Sequence, residues 1–157
     1  MDRQGFSFLL SPDPELIKDR VAELLDGTGF APRIFWGDEE LPADYWQVLT
    51  VPSMMGPPNA VVLRRAQERD EEFWSRMDGA LAMARPSVWP MFCLESEWKV
   101  GKPAPAKAVT KGRYWDAARK NGWIWEHPGL SRATIGREVD GFAARHGLTF
   151  APGVRKS

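Results

Sequence analysis

Short apolar runs alternate along this chain with longer segments in which apolar residues recur every three or four positions. An uninterrupted run of four to eight apolar residues is typical of a buried strand, and the longer spacing is typical of a helix with one buried face. The predicted strands cover residues 6–10, 33–36, 60–63, 88–94 and 123–125. Since parallel strands need a crossover and the intervening segments are helical, the alternation predicts an α/β fold with a parallel sheet flanked by helices.

The first predicted helix begins at Pro14, with Asp13 as its cap, and ends at the glycines that follow residue 26. Further helices are predicted over residues 42–49, 71–84 and 131–147, and a basic helix is predicted after residue 105 as far as residue 121. Pro90 has no backbone N–H to donate, so strand 88–94 is not expected to take a fully paired central place in the sheet.

A break in the pattern at His127-Pro128-Gly129 predicts a domain boundary. Residues 1–128 would form the α/β domain, and residues 129–157 would begin a small helical domain. This second unit holds one predicted helix and the opening of another. We therefore expect the sequence to be a piece of a longer protein.

Composition narrows the class of protein. The chain has 157 residues, 43% of them hydrophobic and 27% charged, which is ordinary for a soluble globular protein. Its single cysteine, Cys93, has no intramolecular partner for a disulfide, and no apolar run approaches the roughly 20 residues of a membrane span. The first residues lack the features of a secretory signal. These observations predict a cytoplasmic protein without a membrane partner.

The net charge of zero hides a basic segment. Residues 99–120 hold seven lysines and arginines against one acidic residue, whereas residues 1–98 hold nine basic and 17 acidic side chains. A concentrated positive field attracts phosphates or an acidic protein surface. A solvated helix and loop would carry the same charges without a partner, so both interpretations stay open.

The motifs that most enzymes of this fold class use are missing from the sequence. The turn after the first strand, Ser11-Pro12-Asp13-Pro14, has two prolines and a carboxylate where a phosphate loop needs glycines and a lysine. The two histidines stand 19 residues apart, and Cys93 has no partner at metal-ligand spacing. The acidic groups at 38–40 and 70–72 read as solvated helix starts. No catalytic, cofactor-binding or metal-binding residue is predicted, and the chain does not read as an enzyme.

One segment departs from the core-building pattern. Residues 51–58 contain three prolines and a glycine around Met54 and Met55. Prolines prevent a regular helix or strand there, so a stiff loop is expected to present the two methionines together. They would form a hydrophobic plug for the pocket of a partner, because a few apolar anchors dominate many interfaces. The alternative is that both side chains fold back onto the sheet.

The chain resembles the delta subunit of the bacterial DNA polymerase III clamp loader over nearly its whole length. The resemblance begins with the strand and Asp/Pro turn of residues 6–13 and the aromatic Gly-Asp strand of residues 34–38. Its most specific part is the turn Ser53-Met54-Met55-Gly56, which runs into the strand of residues 60–64. Met55 stands where the family usually has phenylalanine, and a methionine can fill an aromatic-sized pocket.

The resemblance implies an AAA+ or P-loop-like domain that has lost its phosphate loop. It implies that Met54 and Met55, framed by Ser53 and Gly56, insert into a pocket of the β sliding clamp and help to open the ring. The subunit itself would be non-catalytic and would need no cofactor. ATP would act in other subunits of the clamp loader, and the full complex would have DNA polymerase activity. Those subunits and DNA are further expected partners, in the bacterial cytoplasm.

Two alternatives remain open at this stage. The first is an α/β module that binds nucleic acid through segment 99–120, with phosphate contacts from basic side chains and stacking on Trp98, Tyr114 and Trp115. Its candidate contact residues are Lys107, Lys111, Arg113, Arg119 and Lys120. The second is an orphan nucleotide-binding enzyme, which the missing phosphate loop disfavours.

Overall fold

A computed structural model describes residues 5–51, 56–82 and 86–129 of the chain. Within these ranges five strands form one sheet: Ser7–Leu10 (β1), Ala31–Trp36 (β2), Asn59–Arg64 (β3), Val88–Leu94 (β4) and Ile124–Glu126 (β5). Their spatial order is β2-β3-β4-β1-β5, and every pairing is parallel. The predicted α/β class with a parallel sheet is confirmed.

The helices divide unequally between the two faces of the sheet. They are Pro14–Leu25 (α1), Asp44–Thr50 (α2), Glu71–Ala80 (α3), Lys107–Thr110 (α4) and Arg113–Asn121 (α5). On one face α1 buries Ile17 and Val21 against the sheet. On the other face α2 to α5 cover a larger core. As predicted, Asp13 caps α1, and its Oδ1 accepts hydrogen bonds from the N–H groups of Glu15 and Leu16 at 3.0 and 3.4 Å.

Phe8 lies at the centre of the larger core. Its ring centroid is 5.0 Å from that of Phe92 on β4 and 6.2 Å from that of Trp74 on α3. The ring centroids of Tyr114 and Trp115 on α5 lie 5.6 and 5.1 Å from that of Phe8. Because β1 is paired on both sides and this ring is fully buried, the packing of three elements depends on one side chain.

The expectation about Pro90 was wrong. β4 occupies the centre of the sheet, between β3 and β1, and Pro90 lies opposite Val61. Every residue of β4 is buried. The missing N–H removes at most one bond of the ladder, and the burial of a wholly apolar strand outweighs that loss.

The basic helix is interrupted rather than continuous. α4 ends at Thr110, and α5 starts after Gly112, where a Cβ atom would collide with the ring of Tyr114. A residue from α3 caps the second piece, because Asp78 Oδ1 accepts hydrogen bonds from Arg113 N at 2.8 Å and Tyr114 N at 3.4 Å. The break therefore follows from packing between α3 and α5.

Other boundaries shift by a few residues. α2 begins at Asp44 rather than residue 42, and α3 ends at Ala80, whereas residues 83 and 84 of the predicted helix lie outside the described part. The helix predicted over residues 131–147 also lies outside it, so the domain boundary near residue 128 stays a prediction. Among the described residues, no helix combines the length and apolar content that crossing a membrane requires.

We expect Phe8→Ala to lower the free energy of unfolding by about 3–5 kcal/mol, since it leaves a cavity among the aromatic rings of α3, β4 and α5. Ile34→Ala is the matched control, because Ile34 is 47% exposed on the edge strand β2. Surface changes of that kind usually stay within about 0.5 kcal/mol. Urea unfolding of both variants measures the difference, and equal losses would contradict the central role of Phe8.

Candidate functional site

The predicted plug loop is held by α2 at one end and by the amino edge of the sheet at the other. On one side Val51, the C-cap of α2, donates its N–H to Gln47 O at 2.8 Å and leaves its side chain 56% exposed. On the other side Pro58 O accepts from Ala31 N at 2.8 Å, and Asn59 N donates to Ser87 O at 2.9 Å. The first anchor therefore belongs to α2, and the second belongs to the edge at which β2, β3 and β4 begin.

Of the four residues predicted to contact the clamp, only Gly56 lies within the described part. Ser53, Met54 and Met55 lie outside it, and their contacts stay a prediction. Gly56 is exposed and has a φ of +91°, a left-handed conformation that favours glycine. Pro57 beside it is exposed as well. The chain therefore reaches the surface on both sides of the methionine pair.

The opposite, carboxyl edge of the sheet is where open α/β folds usually bind ligands. Here a buried ion pair occupies it. Arg64 ends β3 and Glu95 follows β4, and their side chains are joined by two hydrogen bonds, Nε to Oε2 at 2.8 Å and Nη2 to Oε1 at 2.9 Å. Arg64 is 10% and Glu95 2% exposed at the side chain.

Further hydrogen bonds tie this pair to three neighbouring segments. Arg64 Nη2 donates to Pro14 O at 3.2 Å, in the first turn of α1. Glu95 Oε2 also accepts from Arg65 N at 2.8 Å, and Glu95 N donates to Gln67 Oε1 at 2.8 Å. The hydrogen bond to Glu95 raises the pKa of the Arg64 guanidinium above its ordinary value, so the guanidinium stays charged. A network of this kind is costly to break from one side.

The polar groups of the turn after β1 also form hydrogen bonds within the protein. Ser11 is fully buried, and its N–H donates to Leu94 O at 3.2 Å, while the Asp13 carboxylate is engaged in the cap of α1. Pro12 and Pro14 have no N–H groups to offer a phosphate. The place that a nucleotide would take in such a fold is thus occupied by side chains of the protein itself.

Cys93 lies inside β4 and has no exposed surface. Burial raises the pKa of its thiol above the ordinary value, and the raised pKa keeps it protonated near neutral pH. It is a small core residue. In the described residues, no group of three His, Cys, Asp or Glu side chains has the geometry of a metal site.

The basic segment is partly neutralised by acidic residues of α3. Lys111 pairs with Glu71, and Arg113 Nε lies 3.1 Å from Asp78 Oδ2. The remaining candidates, Lys107, Arg119 and Lys120, are exposed, and the described residues provide no ion-pair partner for them. The structure thus divides the predicted patch into paired and solvent-facing cations.

Two of the three aromatic residues of the nucleic-acid alternative are unsuited to stacking on bases. Tyr114 is 3% and Trp115 is 8% exposed, and both rings pack on Phe8. Trp98 is half-buried. The cations could still contact a phosphate backbone, but the combination of charge and aromatic platform that the sequence indicated is absent from this surface.

The two acidic groups have different roles. Asp70 caps α3, since its Oδ1 accepts from Phe73 N at 3.0 Å, so the prediction of a helix start is confirmed for residues 70–72. Residues 38–40 are exposed and precede α2, which starts at Asp44, but they do not cap it. Asp38 instead pairs with Arg65 at 3.2 Å. No local sequence pattern indicates that contact, because the two residues are distant along the chain.

Comparison with solved structures identifies the architecture. The chain superposes on the Bacillus subtilis DNA clamp loader delta protein, YqeN, with a TM-score of 0.58 over 91% of its length, at 13% sequence identity. The two proteins share a fold. The chain spans 44% of the length of that protein. No protein-family model and no curated protein sequence matches the chain.

Glu95→Ala is expected to lower the free energy of unfolding by about 3–5 kcal/mol, because it leaves the Arg64 guanidinium buried without its counter-charge. The double variant Arg64→Met with Glu95→Leu should lose less than Glu95→Ala alone, since no charge remains. Chemical denaturation gives the free energy of unfolding of the parent, of Glu95→Ala and of the double variant. Arg113→Ala, at an exposed ion pair, serves as control and should cost at most about 1 kcal/mol; a loss in Glu95→Ala no larger than this would contradict a buried, coupled pair.

Millimolar ATP with Mg²⁺ is expected to leave the melting temperature unchanged, because the carboxyl edge around Arg64 and Glu95 offers no phosphate cradle. A ligand that binds only the folded state raises that temperature by an amount that grows with the logarithm of its concentration above the dissociation constant. Differential scanning calorimetry over a range of ATP concentrations makes the measurement. A rise that grows with ATP concentration would show that the edge still accepts a nucleotide.

Proposed function

We propose that this chain is a clamp-loader-like, non-catalytic protein that binds the β sliding clamp through Met54 and Met55. The observation that carries the proposal is the position of the loop between α2 and β3 on a fold shared with a clamp loader delta protein. Residues 53–56 supply the Ser-Met-Met-Gly turn at that position.

The anchoring of the loop supports this proposal. Val51 and Gly56 are exposed on either side of the methionines, whereas Asn59 and Pro58 are hydrogen-bonded to neighbouring strands. A loop held at both ends loses less conformational entropy when it docks than a free segment does. Two apolar side chains on such a loop are suited to fill a hydrophobic pocket.

The ion pair at the carboxyl edge supports a role in binding a partner over a role in nucleotide hydrolysis. The six residues of β3 separate the loop from Arg64 by about 20 Å, at roughly 3.3 Å per residue. The end of the sheet that usually serves nucleotides is closed by the ion pair with Glu95. Binding at the amino edge leaves that pair undisturbed.

Ring opening follows from linkage once the loop is bound. A closed ring opens if a ligand binds its open or strained form better than its closed form. In the proposed mechanism the methionines dock first, and the adjacent α2 then strains the neighbouring interface of the clamp. ATP would act in other clamp loader subunits, which are further partners in this proposal. The proposal also includes a helical domain that begins near residue 129.

The decisive test is calorimetric titration of the chain into the β sliding clamp of the same organism. We expect saturable binding and a loss of roughly 2 kcal/mol or more in the double variant Met54→Ala with Met55→Ala, as for interface hot spots. That loss corresponds to a roughly 30-fold weaker affinity. Circular dichroism checks that the variant is folded.

The matched control replaces two exposed apolar residues away from the loop. Ile34→Ala with Val100→Ala removes comparable apolar surface, since Ile34 is half-exposed and Val100 is almost fully exposed. Its affinity should equal that of the parent. Equal affinities of the methionine variant and the parent, or no binding by a folded parent, would refute the proposal.

A further inference from the structure

The last residue of the described chain before the methionine pair exposes an apolar side chain. Within the described ranges, four large apolar side chains are exposed: Ile34, Trp36, Val51 and Val100. Of these four, only Val51 adjoins the loop between α2 and β3, and it is 56% exposed. Single exposed apolar residues are common on protein surfaces, so exposure alone assigns no role to Val51.

The backbone at Val51 accounts for a branched side chain but not for an apolar one. Val51 is the C-cap of α2 and has extended dihedral angles, with φ at −107° and ψ at 115°. Residues that branch at Cβ suit extended backbone, and threonine meets that requirement as well as valine does. Threonine would replace an exposed methyl group by a hydroxyl group that water solvates. The apolar character of Val51 is therefore not explained by the local structure.

The end of α2 holds Val51 in a defined position. The N–H of Val51 donates to Gln47 O at 2.8 Å. The helix itself is fixed by Tyr45, which is fully buried in the larger core, and by Trp46, whose ring centroid lies 4.0 Å from the guanidinium carbon of Arg76 on α3. A residue that is already held in place loses little conformational entropy when a partner covers it.

The distance along the chain places Val51 close to any surface that receives the methionine pair. Met54 follows Val51 by three residues. An extended chain spans at most about 3.6 Å per residue, so the two Cα atoms are no more than about 11 Å apart. A specific interface of ordinary size buries about 800 Å² on each partner, the area of a disc with a radius of about 16 Å. Val51 therefore lies within the footprint of a partner whose contact is centred on Met54 and Met55.

We propose that Val51 is a third apolar contact residue for the β sliding clamp, positioned by α2 beside the methionine pair. This inference rests on the proposed function and adds that the clamp has a second apolar contact next to the pocket for Met54 and Met55. Burial of the two methyl groups of Val51 strengthens binding. Because Val51 is attached to α2, the same contact fixes the orientation of α2 against the clamp interface that α2 strains.

The experiment compares isosteric substitutions at two exposed valines of the full 157-residue chain, by calorimetric titration into the β sliding clamp. Val51→Thr keeps the shape of the side chain but places a hydroxyl group in the apolar contact, so binding should be weaker by roughly five- to tenfold. Val51→Ile keeps the contact apolar and should bind at least as tightly as the parent. Val100→Thr is the matched control, since Val100 is 99% exposed and follows the carboxyl end of β4; its affinity should equal that of the parent.

Two further readouts separate a lost contact from a damaged fold. Val51→Thr retains the N–H that bonds to Gln47 O, so urea unfolding should give the same midpoint as for the parent. A misfolded fraction would lower the number of binding sites in the titration, whereas a lost contact lowers the affinity of every molecule. The loss should also appear as faster dissociation, because most effects of interface substitutions are on the dissociation rate.

Failure of this inference can be distinguished from failure of the proposed function. If the double alanine variant of Met54 and Met55 loses affinity while Val51→Thr binds like the parent, only the role of Val51 is refuted. Equal weakening by Val51→Thr and Val100→Thr would also refute it, because the effect would not depend on the place of the substitution. Absence of binding by a folded parent would refute both proposals.

Discussion

The ion pair between Arg64 and Glu95 connects more of this fold than any other polar contact described here. It joins the ends of β3 and β4, reaches the first turn of α1 through Pro14 O, and holds the backbone N–H of Arg65. Arg65 has a φ of 52°, which is uncommon for a residue with a side chain. The hydrogen bond from its N–H to Glu95 helps to maintain that conformation and directs the chain away from the sheet.

The same pair lies at the end of the sheet where open α/β folds usually bind ligands. In a nucleotide-binding α/β protein the carboxyl edge is kept open, and the bound phosphate satisfies its free N–H groups. Here Glu95 and Arg64 satisfy each other, and Asp13 satisfies the N-terminus of α1. The polar groups at the carboxyl edge of the sheet are thereby satisfied by the protein itself, without a ligand.

Much of the architecture could be predicted from the sequence because strands that are buried on both faces are wholly apolar. β4 and the core of β3 could be predicted for this reason. α1 could be predicted from its Asp-Pro start. The ion pair was not predicted, since Arg64 and Glu95 are 31 residues apart and each resembles a surface charge. The available signal was that each follows directly after an apolar strand, at the edge where parallel strands end together.

The candidate site was less accessible from sequence than the fold. No local pattern encodes the contacts between α3 and α5. These contacts allow Asp78 to cap α5 and place the ring of Tyr114 close to Gly112. The same packing buries Tyr114 and Trp115, which the nucleic-acid alternative would stack on bases. Aromatic residues in a basic segment thus have two possible roles, and helix periodicity distinguishes them only when the helix boundaries are known.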